Sequence, residues 1–141
     1  MSYDSSNIFA KILRGEIPCH KVYEDADAVA FMDIMPQSPG HTLVLPKAAS
    51  RNLLDADPAT LGRLMAVVQK VAVAAKAAFE ADGVRIAQYN EAPAGQTVFH
   101  LHVHVIPIRE GHRLGHHGGR QEDGAVLAAH AEKLLAALAA V

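Results

Sequence analysis

Two hydrophobic rhythms alternate along the chain, one of period two and one of helical period, with proline, glycine and acidic residues marking the joins. Ile8, Phe9, Ile12 and Leu13 predict a short first helix, capped by Ser5 or Ser6 and ended by Gly15, after which Pro18 imposes an extended exit. Residues 21–24 and 28–33 read as two strands of a hairpin around the acidic turn Asp25-Ala26-Asp27. Beyond the turn-forming residues 36–40, His41, Leu43 and Leu45 alternate with Thr42 and Val44 and predict a third strand over 41–46. Asp57-Pro58 is a strong helix start. Leu61, Leu64, Met65, Val68, Val71, Ala75 and Phe79 then recur at helical spacing as far as Asp82-Gly83.

Residues 84–90 and 98–107 read as further strands, separated by a loop over 91–96 that contains proline and glycine. Residues 109–123 are polar and glycine-rich, and Leu127, Ala131, Leu134, Leu135 and Leu138 form the apolar stripe of a last helix. Five strands with one long helix predict an α+β fold.

Composition narrows the possibilities. At 141 residues the chain fits one domain spanning 1–141, with 109–141 as a C-terminal loop and helix extension. Half of the residues are hydrophobic, yet no apolar run approaches the ~20 residues of a membrane-spanning helix, so no membrane partner is expected. Residues 1–20 lack a basic start, an apolar stretch and a small-residue cleavage site, which makes cytoplasm the expected location. Cys19 is the only cysteine and cannot form an internal disulfide. A net charge of −2 with neutral histidines argues against a broad nucleic-acid surface, which needs clustered cations. Any anionic partner must be met locally. The unusual count is nine histidines, and their grouping matters more than their number.

In Val98-Phe99-His100-Leu101-His102-Val103-His104-Val105-Ile106, three histidines occupy alternate positions of a predicted strand, so their imidazoles project from one face. Phe99, Leu101, Val103 and Val105 take the other. With ~3.3 Å of rise per residue, His100 and His104 lie ~13 Å apart along a strand, too far for all three to share one zinc ion at ~2 Å. A phosphate chain, being elongated, can lie along such a row. Imidazole, with an ordinary pKa of ~6.5, can serve near neutral pH as nucleophile, acid or cation. A histidine that attacks phosphorus through one nitrogen must keep a proton on the other, held by an acceptor such as a nearby carbonyl. His102, the central member, is the natural nucleophile, and His104 can contact the phosphate or assist the leaving group.

His100-Leu101-His102-Val103-His104-Val105-Ile106 resembles the signature of the histidine triad (HIT) superfamily. The likeness extends to Gly95-Gln96-Thr97-Val98, Asn90-Glu91, residues 39–47 and residues 8–12. It implies a HIT-like fold of about five strands with one long, one short and one C-terminal helix, pairing as a homodimer. It implies that His102 becomes covalently nucleotidylated, that His100 orients it, and that His41, a fourth histidine, supports the first triad member. By the same comparison Asn90, Gly95, Gln96 and Thr97 form a phosphate loop. Asp33 would bind ribose hydroxyls, with Ile8, Phe9, Ile17, Phe31, Ile34 and Leu43 around the base. The implied substrate is a purine nucleotide such as adenosine 5′-phosphoramidate or a related nucleoside monophosphate conjugate, with release of AMP and no cofactor. A dinucleoside polyphosphate hydrolase, or a nucleotide-binding regulatory protein with incidental hydrolysis, is the alternative.

Two departures stand out. Some bacterial relatives hold a structural zinc through paired cysteines near the first helix and a histidine after the Pro-Lys pair. Here those positions are Asn7, Ala10 and Ala49. His112, His116 and His117 in the glycine-rich segment are expected as solvated loop histidines, and His130 as a merely polar helix residue. Lacking thiolate or imidazole at positions 7, 10 and 49, the chain is expected to carry no metal in that place. Elemental analysis of the purified protein checks this, and one zinc per chain would contradict it.

Overall fold

The computed structural model describes residues 2–116 and 119–141, so His117 lies outside the described residues. A short helix α1 (Ile8–Leu13) precedes strands β1 (Lys21–Glu24), β2 (Ala28–Met32) and β3 (Thr42–Pro46). The long helix α2 (Pro58–Ala78) follows, then β4 (Gly83–Ala87), β5 (Val103–Ile108) and α3 (Gly124–Ala139). The strands form one antiparallel sheet in the order β1-β2-β3-β5-β4. The fold is α+β, as the periodicities predict. No helix among the described residues is long and apolar enough to cross a membrane.

Every residue of β2 and β3 is buried, because both faces of the sheet are covered. On one face Ala28, Ala30, Met32, Val44, Val103 and Val105 pack against Leu64, Val68 and Val71 of α2 and Leu127, Ala131 and Leu134 of α3. Each such large side chain, fully buried, stabilises the fold by about 1.5–3 kcal/mol. On the other face Val29, Phe31, Leu43 and Leu45 meet Phe9 of α1. His102 and His104, two residues apart, belong to this second face. His104 stands opposite Leu43 of β3 and Ala87 of β4.

Several boundaries move from their predicted places, each for a local reason. Asn7, not Ser5 or Ser6, caps α1 by accepting from the Ala10 N–H; Ser6 is instead drawn into a turn with Asp4. β4 stops at Ala87 rather than Asn90, where the Gln88 and Asn90 side chains bond each other across a bend. β5 begins at Val103 rather than Val98. The preceding residues are held by other bonds, among them the Leu101 N–H to the Ser50 carbonyl at 2.8 Å. Thus only His104 of the triad lies within a paired strand.

Asp57 caps α2 through the Ala59 N–H, Pro58 fills a first-turn position that needs no donor, and Phe79 closes the far end. The Phe79 ring lies against Gly40, immediately before the histidine at position 41. Gly40 has φ +91°, and a Cβ placed there would meet the ring at 2.5 Å. Gly40→Ala is therefore expected to cost about 2–4 kcal/mol, combining left-handed backbone strain with overpacking. Urea unfolding would register this as a lower midpoint at unchanged slope, and an unshifted midpoint would refute it.

Candidate functional site

The second face of the sheet and α1 enclose a cavity of about 160 Å³. Ile8, Phe9, Ile17, Phe31, Asp33, Ile34 and Leu43, chosen from sequence as a nucleoside pocket, all line it together with Thr97, His102 and His104. Ile12, Pro18, Cys19, Met32, Met35 and Val98 complete the wall. Ile12 and Val98 lie in segments that carry the family resemblance, and Pro18, Cys19, Met32 and Met35 adjoin residues expected in the pocket, but the sequence assigns none of the six a role. Burial of the half-buried Cys19 pushes its thiol above the ordinary range.

The three triad imidazoles are all buried, at 0%, 8% and 2% exposure for His100, His102 and His104. They are therefore no solvent-facing row. A buried ring nitrogen needs a partner, and the partners fix each ring's proton. His102 Nδ1 lies 2.6 Å from the carbonyl oxygen of His100, which can only accept, so Nδ1 carries a proton and the neutral ring has its lone pair on Nε2. Phe9 stands edge-on to the His102 ring at 4.8 Å, and His104 is 5.1 Å away between centroids. His100 Nε2 lies 2.8 Å from the Pro46 carbonyl, so this ring donates from Nε2 and accepts at Nδ1 from the Tyr3 hydroxyl at 2.6 Å. Burial lowers the pKa of His100, against a smaller opposing pull from the Pro46 carbonyl.

His41 joins the last triad member, not the first. Its Nδ1 accepts from the Gln37 N–H at 3.0 Å, which leaves the proton on Nε2. That nitrogen lies 2.9 Å from His104 Nδ1 and 3.3 Å from Asp33 Oδ2. His104 thus accepts at Nδ1 and keeps its own proton on Nε2. The same bond decides whether the Asp33, His41 and His104 ligand atoms, all within 4.8 Å, suit a metal ion. Coordination through His41 Nε2 would displace the only proton of a ring whose Nδ1 already accepts from a backbone amide. The donor set therefore does not fit a divalent cation without an imidazolate. Asp33 Oδ1 accepts from the Met35 N–H, leaving Oδ2 on the side of His41.

Of the predicted phosphate loop, Thr97 alone lines the cavity. The buried Gln96 side chain spends its whole capacity inside the protein. It donates to the carbonyls of Arg51 and Val98 and accepts from Asn52 and the Glu91 N–H. Asn90 accepts from the Leu53 N–H, and Gly95, at φ +107°, turns the chain beside the Tyr89 ring. These three residues shape the loop instead of facing the cavity. Arg51 braces it further, gripping the Glu91 carboxylate at 2.8 and 3.0 Å while lying over the Phe99 ring. Sequence reasoning missed Tyr3, Gln37, Arg51 and Asn52, whose roles depend on contacts from distant parts of the chain. His112 and His116 are exposed, and His130 stands edge-on to Phe79.

Comparison with known proteins places this geometry. The HIT domain family matches residues 14–111. A crystal structure of a HIT-like protein involved in cell-cycle regulation from Bartonella henselae is 54% identical, with a TM-score of 0.91 over 96% of this chain and 99% of that one. A histidine triad nucleotide-binding protein from Sulfolobus tokodaii is 34% identical, with a TM-score of 0.87 over 94% and 91% of the two chains. An adenylylsulfatase of Arabidopsis thaliana is 37% identical over 73% of this chain and 52% of its own length.

The burial of His100 has a thermodynamic signature. The folded protein keeps this ring neutral below its ordinary range, whereas the unfolded chain takes up its proton near pH ~6.5. The unfolded state then binds more protons, and stability falls as pH drops below about 6.5. Imidazole ¹⁵N NMR of the native protein is expected to show the neutral His100 ring with its proton on Nε2, taking up a second proton at lower pH than in the unfolded chain. A midpoint at or above the ordinary value would contradict this.

Proposed function

Since the chain belongs to the HIT domain family, we propose that it is a nucleotide hydrolase working through a covalent nucleotidyl-histidine, with adenosine 5′-phosphoramidate or a related AMP conjugate as substrate. The observation carrying this reading is the Nε2 lone pair of His102, fixed beside the apolar cavity by the Nδ1 bond to His100. The nucleoside occupies the cavity, its base against Phe9, Phe31 and Leu43 and its ribose diol at Asp33. His102 Nε2 attacks the α-phosphorus. The bond to the leaving amine breaks as that amine takes a proton from solvent, while the His104 Nε2–H donates to a phosphate oxygen. Water then attacks the phosphorus of the histidine adduct and releases a proton to solvent, the P–N bond to His102 breaks, and AMP leaves. Burial of the imidazoles favours this sequence, because fixed donors in a dry site stabilise developing charge better than water does.

The likeness to an adenylylsulfatase supports the same chemistry with sulfate as leaving group, and to a nucleotide-binding relative supports the cavity's occupant. Two-fold pairing belongs to this reading through the family resemblance. Intact-protein mass spectrometry during turnover of adenosine 5′-phosphoramidate is expected to show an acid-labile adenylyl adduct in wild type and none in His102→Ala, whose kcat falls at least ~10³-fold. Equal AMP release by both proteins would refute nucleophilic catalysis by His102.

A further inference from the structure

His100 has two tasks that depend on each other. Its carbonyl accepts the Nδ1 proton of His102 at 2.6 Å, and its ring anchors the residue within the fold. The residue lies just outside β5, so the strand ladder does not hold it. Three bonds replace the ladder. The Leu101 N–H, on the same peptide plane as the His100 carbonyl, donates to Ser50 O, and the His100 ring is held at Nε2 by Pro46 O and at Nδ1 by Tyr3. Two of these three partners are backbone atoms that no substitution removes. The third is a single hydroxyl on the segment preceding α1.

That segment is itself tied down. The Asp4 carbonyl accepts from both the backbone and the side chain of Asn7, Arg14 donates to the Ser5 carbonyl, and Arg51 reaches the Ser2 carbonyl at 3.4 Å. Tyr3 is only part-buried, yet its hydroxyl reaches a ring that is fully buried, with the two rings edge to face at 5.6 Å. A tethered phenol therefore supplies the only side-chain partner recorded for this imidazole's ring nitrogens among the described residues.

We propose that Tyr3 is a positioning residue for the histidine chemistry: its hydroxyl holds the His100 ring at Nδ1, and through it the carbonyl that fixes the proton and aim of His102. Loss of the hydroxyl leaves a buried lone pair with no donor. The ring can then meet that need by taking up a proton or by rotating away from Pro46. Either response disturbs the His100 carbonyl, and the lone pair of His102 loses its direction. The proposal rests on His102 being the nucleophile.

Tyr3→Phe keeps the aromatic contact and removes only the hydroxyl; Tyr3→Leu removes both. With adenosine 5′-phosphoramidate, Tyr3→Phe is expected to lower kcat about tenfold with KM within about twofold of wild type, the size expected for one lost hydrogen bond to a buried group. The acid limb of its kcat profile should move to higher pH. Tyr3→Leu should lose kcat to a similar extent. An unchanged kcat and pH profile in Tyr3→Phe would overturn the proposal even if the melting temperature falls, and so would a loss confined to Tyr3→Leu, which would assign only packing. ¹⁵N NMR keeps the test independent of turnover. Displaced His100 Nδ1 and His102 Nδ1–H resonances in Tyr3→Phe support positioning, and resonances identical to wild type overturn it. Absence of turnover in wild type would instead count against the proposed hydrolase activity and leave the NMR comparison to decide on Tyr3.

Discussion

The bond from His102 Nδ1 to the carbonyl of His100 decides what the centre of this molecule can do. Imidazole is an ambiguous group, able to present a donor or an acceptor at either nitrogen, and in water it exchanges freely between the two. Burial beside a carbonyl removes the ambiguity. The cost of leaving that oxygen unpaired, about 1–3 kcal/mol, selects the neutral tautomer that has its proton on Nδ1 and its lone pair on Nε2. The other three histidines obey the same rule with different partners: a proline carbonyl and a phenol for His100, a backbone amide for His41, and His41 itself for His104. Of four rings of identical chemistry, His102 alone thereby has its proton on Nδ1, while His41, His100 and His104 keep theirs on Nε2.

The sheet makes this possible because both of its faces are covered. α2 and α3 supply a thick apolar layer on one side, so the opposite side need not carry the main core. It can hold histidines under a single short helix, with a cavity left between. The Gln96 amide and the Arg51–Glu91 pair stiffen the chain on its way into the triad, and the unpaired stretch before β5 is fixed without a ladder.

Much of this was legible in the sequence. Two-residue periodicity located β1 and β3, and Asp57-Pro58 located the start of α2, because local pattern and tertiary packing agree there. The seven pocket residues named from the HIT resemblance share one cavity for the same reason. The errors have a common cause. Residues 98–102 alternate as well as any strand, but the bonds of His100 to Pro46 and of Leu101 to Ser50 come from distant segments and claim that stretch for another purpose. The resemblance pairs His41 with His100, whereas the fold brings it to His104, and a spacing of dozens of residues carries no direction. The resemblance assigns Gln96 to a phosphate loop, whereas four internal partners occupy its side chain. A sequence names the polar groups; only the fold says which of them are already spent.

The position of Cys19 bears on how inhibitors of this protein are to be understood. Its sulfur borders the cavity that also holds His102, although nothing in the histidine chemistry calls on a thiol. A maleimide or iodoacetamide adduct would fill space meant for a ligand, and protection by nucleotide would follow from simple occlusion. Such behaviour, normally the mark of a cysteine enzyme, would here report only that the thiol is a neighbour, and its slow reaction would reflect a sulfur that burial keeps protonated.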